Sequence, residues 1–334
     1  MKILNDESFI KVVESSIDPA EVSSLFFFNT FKRLIPRSLF KKLLHRASKR
    51  TPYIGFVIEP CSLFLFFKLR DIGKAKSLLP ERYELKKARV FAGDQPDYYF
   101  GIGAFNTRAS TFWGTRLESY LIAEDKETGL LSWIFIDILS NTIIALPTEG
   151  ITDPNARNAI FTTSSKADVF LDFKEDKTGR QISLKGNIRR GQMRRLDQEL
   201  WVTGNTSIGH SKDLADQNND PFAVIFDPAE VIEALDIPTE DISLAKNTLF
   251  PDLAEPEVCR VACFPFAQHY IADSPGCRTY VKNRSDMIDK YNEIADLKEI
   301  RTFSSKTIKK LFLVGTSISC LASIILTILL ILGI

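Results

Sequence analysis

From residue 60 to about residue 210 the chain is a succession of apolar runs separated by turn signals. CSLFLFFKL reads as a strand, and IGKAKSLLP as a short helix stopped by Pro80. ARVFAG, DYYFGIGAF, TRLESYLIAE and LLSWIFIDIL read as further strands, with DQPD, FNTR and EDKETG between them. EDKETG places Gly129 in a short connection between two long apolar runs, a hairpin signal. KADVFLDF, RQISLKGNI and ELWVTGNTS continue the series. So many consecutive strands without long helices between them predict an α+β protein: a mainly antiparallel, strongly curved sheet or barrel with helices at its periphery.

Those helices are expected in the final third. DPAEVIEAL begins with Asp227 as N-cap, Pro228 at the first helical position and Glu230 at the third. MIDKYNEIADLKEI sets Ile288, Tyr291, Ile294, Leu297 and Ile300 three apart, close to one helix face. From Leu311 to Ile334 there is no charged residue. At about 1.5 Å per residue a helix of that length reaches about 36 Å, which predicts a C-terminal transmembrane helix across a hydrocarbon core of about 30 Å. Lys306, Lys309 and Lys310 precede it, and the positive-inside rule then keeps the bulk of the chain on the cytoplasmic side of a single-pass, tail-anchored protein.

Three regions follow from this pattern. Residues 1–55 form an N-terminal basic amphipathic region, in which FFFNTFKRLIPRSLFKKLLHRASKR either lies on an anionic lipid surface or packs on the domain with a solvated basic face. Residues 56–303 form the main domain with its helical extension, and 311–334 the anchor. The 334 residues carry a formal net charge of +1 with 25% charged side chains, so no global field favours nucleic acid. Five cysteines without dense spacing fit a reducing compartment better than a disulfide framework.

The polar residues on apolar faces are the candidates for chemistry. Glu118 alternates with Tyr120 and Ile122, while Asp137 shares parity with Trp133 and Phe135. A carboxylate on such a face must be paired, hydrogen-bonded or neutral, and Arg116 and Arg157 are the nearest cations in sequence. Either an ion pair holds the sheet together, or a polar group with a shifted pKa stands inside a ligand pocket. Cys259, Cys263, His269 and Cys277 invite a zinc reading, but their spacing matches no compact ligand pattern, and VCRVAC reads as a strand with both thiols on one face; no metal is expected. IRRGQMRR reads as a solvated basic loop.

Two stretches carry a family resemblance. FKLRDIGKAKSLLPERYEL, a strand, a short helix, Leu-Pro and another strand, resembles the opening of the acetoacetate decarboxylase-like superfamily. TRLESYLIAEDKETGLLSWIFIDILSNTII is similar to that superfamily's central hairpin, with Asp137 and Asn141 at its polar positions. The matched segments lie between about residues 60 and 200. The resemblance implies a barrel with an internal cavity and, in the decarboxylases, a lysine Schiff base beside a second cation. Counted from Arg157, the paired-lysine positions fall near Ser164 and Ser165, with Lys166 close by; Leu69 takes the place of the first-strand arginine, with Arg70 beside it.

The expected function is therefore a membrane-anchored domain whose cavity binds a small organic or lipid-like ligand through Arg116, Asp137, Arg157 and Trp133. The enzymatic alternative is a lyase in which Lys166 is catalytic, forming an imine or moving a proton, helped by Glu118. A membrane-tethered scaffold without pocket chemistry is the third. Membrane lipid and a small molecule are the expected partners, with no nucleic acid and no cofactor, and homo-oligomerisation stays open.

Overall fold

The computed structural model describes residues 6–30, 53–146, 150–215, 221–273, 284–296 and 306–332. Two helices open it, α1 (Asp6–Ser15) and α2 (Pro19–Thr30). Then come β1 (Tyr53–Ile58), β2 (Ser62–Leu69), a short α3 (Ile72–Leu78), β3 (Tyr83–Leu85), β4 (Tyr99–Ala109), β5 (Trp113–Asp125) and β6 (Leu131–Ser140). β7 (Ile144–Leu146) pairs with β8 (Gly150–Thr152) as a two-stranded ribbon, followed by β9 (Ile160–Thr163), β10 (Asp168–Lys174), β11 (Gln181–Asn187) and β12 (Gln192–Arg195). The rest is β13 (Gly209–His210), β14 (Val224–Ile225), β15 (Glu233–Asp236), β16 (Ile242–Asn247), β17 (Ala254–Phe264), β18 (Gln268–Asp273), α4 (Arg284–Ala295) and α5 (Lys306–Leu332).

The long strand β4 organises the large sheet. One edge pairs with β5 from Phe100 opposite Leu121 to Arg108 opposite Trp113. The other edge is shared end to end by β2, where Leu63 faces Ala104, and by β1, where Ile58 faces Thr107. More residues separate Ile58 from Leu63 than separate their partners on β4, so the chain kinks at 59–62 and the sheet acquires a corner. Outward from β2 run β17, β15 and β12; outward from β1 run β18 and β14. A four-stranded sheet in the order β16-β11-β10-β9 packs through Phe161, Leu171, Phe173 and Leu184 on the face carrying Leu65, Phe67, Leu117 and Leu121. The opposite face, with Phe66, Tyr120, Trp133 and Phe135, is closed by Leu200, Trp201 and residues from 221 to 231.

The N-terminal helix docks near the corner. Phe9, Val12, Val13 and Ile17 recur at helical spacing and bury against Val57, Ile225 and Ile271. Gly55 makes the approach feasible, since a Cβ there would stand 2.1 Å from Ser16 Oγ. Beside this contact Arg108 donates to both oxygens of Glu14, at 3.0 and 3.1 Å, and to Glu59. His269 Nδ1 lies 2.9 Å from Glu230 Oε1, its backbone N–H donates to Glu230 Oε2 at 2.7 Å, and Nε2 is 3.6 Å from Glu14.

Several expectations are corrected. The mainly antiparallel sheet is present, but no barrel closes: among the described residues the path ends at β12 on one side and β14 on the other. A crossing helix needs about 20 consecutive apolar residues. Among the described residues no helix is long and apolar enough to cross a membrane, so the single-pass C-terminal anchor is not supported. The cytoplasm-facing orientation rested on that span and falls with it. α5 has 27 residues, and Leu321, Ile324, Ile325 and Leu332 on it are exposed. DPAEVIEAL starts as read, Asp227 accepting the Ala229 N–H at 2.8 Å, but it makes only a 3₁₀ turn over Pro228–Val231. Ala234 and Leu235 are then drawn into β15 by β12 and β17. ELWVTGNTS is not a strand but a π turn followed by a 3₁₀ turn. The basic stretch expected near residue 40 lies outside the described residues.

The His269 cluster has a pH signature. Burial opposes its charged form, but the Glu230 hydrogen bond and charge, followed by Glu14, outweigh it and hold His269 above the ordinary histidine value. The stability this contributes is complete below the unfolded value of about 6.5 and is lost as pH rises through the folded one. Denaturant titrations should show stability falling above about pH 6.5, with that part of the slope gone in His269→Gln. Parallel profiles for the two proteins would assign the slope to other groups.

Candidate functional site

The β5–β6 hairpin holds four of the six residues singled out from the sequence and places them on two different faces. Tyr120 faces Phe135, but the next pair is Ser119 with Asp137, so Ile136 is an extra residue in β6. This bulge turns Asp137 away from the side of Trp133 and Phe135, reversing its expected alternation. Glu118, opposite Ile138, stays on the aromatic side.

On that side the geometry is that of a filled interior. Glu118 Oε1 is 3.1 Å from Arg116 Nη2, the partner expected from sequence, and its other oxygen accepts from the Tyr120 hydroxyl. The Arg116 guanidinium sits 4.8 Å over the Phe112 ring. Burial, then the Glu118 charge, holds Tyr120 well above its usual range, so it stays a donor. Trp133 donates to the Leu200 carbonyl at 3.0 Å and packs on Tyr120 and Trp201 at ring separations of 5.0 and 5.4 Å. Arg116 Nε and Ser119 Oγ are buried without a hydrogen-bond partner among the described residues.

On the other side Asp137 meets the small sheet. Its Oδ2 accepts from Arg180 Nη2 at 2.8 Å, and its Oδ1 from the Ile138 N–H at 2.9 Å. Arg180 also donates to Glu175 Oε2 at 2.7 Å and lies 5.5 Å over Phe250. Burial, only partly offset by Arg180, holds the Asp137 carboxyl above the usual carboxylate value. Beyond Glu175 opens a cleft of about 350 Å³ lined by Asn158, Asp172, Lys174, Glu175, Asp176 and Gln181. Gln181 Nε2 donates to Asp172 at 3.0 Å, and Arg157 Nε is 3.6 Å from Asp176 at the rim. Asn155 fixes this wall to the end of β6: it donates to the Ile138 carbonyl and accepts the Ser140 N–H, each at 2.8 Å, while its own carbonyl accepts the Asp176 N–H.

Lys166 lies apart from both groups. It is exposed in the turn between β9 and β10, where its N–H donates to Ser164 Oγ at 3.2 Å and its carbonyl accepts from Asn187 at 3.3 Å. Asn141 accepts the Thr115 N–H at 2.8 Å and ties β6 to β5. Arg180 and Glu175 escaped the sequence reading, which took Arg116 and Arg157, the nearest cations in sequence, as the candidate partners of Asp137. The available signal was the turn at Gly179, whose φ of 73° closes β10 onto β11 and returns Arg180 beside Glu175. Cys259 and Cys263 also separate, because register shifts in β17 put Cys259 on the aromatic side and Cys263 on the other. Cys277 is outside the described residues, and no group of three potential ligands occurs among the described ones.

No family model matches the chain, and no curated protein matches it. A solved structure of acetoacetate decarboxylase from Legionella pneumophila is similar to it with 12% identity and a TM-score of 0.42, over 68% of this chain and 87% of that one.

Removing Arg180 should leave the Asp137 carboxylate enclosed without its cation. Arg180→Ala is expected to lower unfolding free energy by about 2 kcal/mol, and adding Asp137→Asn to recover most of it. Additive losses in a double-mutant cycle would show that the two side chains do not interact.

Proposed function

We propose that the chain is a non-covalent binding domain that takes a small organic cation in the cleft on the β10–β11 hairpin. The observation that carries this reading is the cleft itself, whose wall presents three carboxylates, Asp172, Glu175 and Asp176, against the one cation Lys174, while the Asp137–Arg180 pair lies directly behind Glu175. Glu175 and Asp176 each share a charge with an arginine, whereas Asp172 faces the neutral Gln181 amide. A ligand with an ammonium or guanidinium group meets Asp172 as its counter-charge, and Asn158 and Gln181 supply neutral hydrogen-bonding groups around it.

The non-covalent version is favoured over a lysine lyase by the position of Lys166. An imine-forming lysine is activated by enclosure or by a neighbouring cation, and this one is exposed on a turn. The close packing of Trp133 on Tyr120 and Trp201 likewise supports placing recognition on the outer hairpin.

Calorimetric titration of the whole chain with aliphatic diamines and alkylguanidines tests the reading. Saturable binding is expected, weakened about tenfold by Asp172→Asn, which corresponds to about 1.4 kcal/mol. Heat that never saturates, or an affinity indifferent to Asp172→Asn, would refute it. Borohydride reduction with a β-keto acid should leave Lys166 unmodified; a trapped adduct there would restore the lyase.

A further inference from the structure

The kink that lets β1 and β2 share one edge of β4 is built around Pro60 and Cys61. Cys61 has φ of 69°, in the left-handed region where side chains other than glycine or asparagine cost about 1 kcal/mol or more. Its N–H donates to the Phe264 carbonyl at 2.8 Å, which holds the corner against the end of β17. Cys263, opposite Leu63 and next in sequence to that Phe264, is fully buried in the same apolar cluster on which Cys61 packs, so the backbone pairing sets the two cysteines side by side at the corner.

The two sulfurs are not equivalent. Cys61 is half-buried at the corner and reachable, whereas Cys263 is enclosed. A hydrogen bond from the enclosed thiol stabilises a thiolate on Cys61, outweighing burial and holding it down to about 6, while the same contact and burial push Cys263 up. Cys259 differs in each respect: it lies on the other face, its thiol donates to the Phe66 carbonyl at 3.2 Å, and burial raises it to about 11.

We propose that Cys61 and Cys263 form a redox-active dithiol, with Cys61 the thiolate oxidised by a hydroperoxide and Cys263 the thiol that resolves it. The Cys61 sulfur attacks the terminal peroxide oxygen; the O–O bond breaks, sulfur gains the oxygen as a sulfenic acid, and the departing alkoxide or hydroxide takes up a proton. The Cys263 sulfur then attacks the Cys61 sulfur. The new S–S bond expels the hydroxyl, which leaves as water with the Cys263 proton. With hydrogen peroxide, two thiols and one peroxide give one disulfide and two waters. The product ties the corner of the large sheet to β17 beside the small sheet, so oxidation stiffens the place where the sheet bends.

The test uses the whole chain. After hydrogen peroxide and alkylation with iodoacetamide, peptide mapping should show Cys61 linked to Cys263 with the loss of two hydrogens and Cys259 still alkylated. Dithiothreitol should restore both thiols. In Cys263→Ser, the Cys61 sulfenic acid should persist and be captured by dimedone. Because that variant changes an enclosed side chain, the unmodified protein supplies an independent arm: alkylation of Cys61 should rise with a midpoint near pH 6 when folded and near about 8.5 in denaturant. Both thiols remaining alkylatable after peroxide, Cys61 bonded to a different cysteine, or a folded midpoint near 8.5 would each overturn the proposal.

Discussion

Backbone pairing along β4 is the constraint from which the rest of the architecture follows. Its N–H and C=O groups on one edge are satisfied by two different segments, and burial leaves no water to replace either of them. The chain between those segments must therefore bend within a few residues, and the bend passes to the neighbours: β17 and β18 follow β2 and β1 around it. A sheet folded in this way has two well-covered faces without closing on itself. One face receives the four-stranded sheet, and the other is filled by the Trp133–Trp201 aromatic group.

Much of this was legible in the sequence because strand length and turn chemistry are local. The runs around Phe66, Ile102, Tyr120, Ile134, Leu171 and Leu184 lie in strands as read. Local signals were overruled where pairing offered more than propensity: the capping sequence at Asp227 makes its first turn, then yields to a strand because Leu235 finds partners on both sides. Closure was not legible, since it depends on whether distant edges meet. The membrane span was read from hydropathy alone, and the described residues of α5 do not supply a crossing segment.

The candidate site was legible in composition and not in geometry. Glu118 and Arg116 pair as their proximity suggested, and the half-buried Asp137 has a cation as its apolar neighbours required. What failed was the parity count. Alternation assigns faces only while every residue advances the register by one, and a bulge breaks that rule without demanding glycine or proline. Ile136 is such a residue in β6, and the shifts in β17 between Val258 and Arg260 are another case. Nothing in the side chain of Ile136 announces it.

Each of these irregularities decides which groups can react or bind together. Without the extra residue at 136, Asp137 would enter the aromatic side near Glu118, and two carboxylates would share one low-dielectric space with Arg116 as their nearest cation. The bulge divides them, giving each its own arginine, so neither burial requires protonation of the other. The same logic separates Cys259 from Cys263 and leaves Cys263 facing the corner, where Cys61 supplies the second sulfur. Polar chemistry in this sheet therefore sits where pairing is irregular, because those are the positions at which a side chain leaves the face that alternation assigns to it and meets a partner from a different strand.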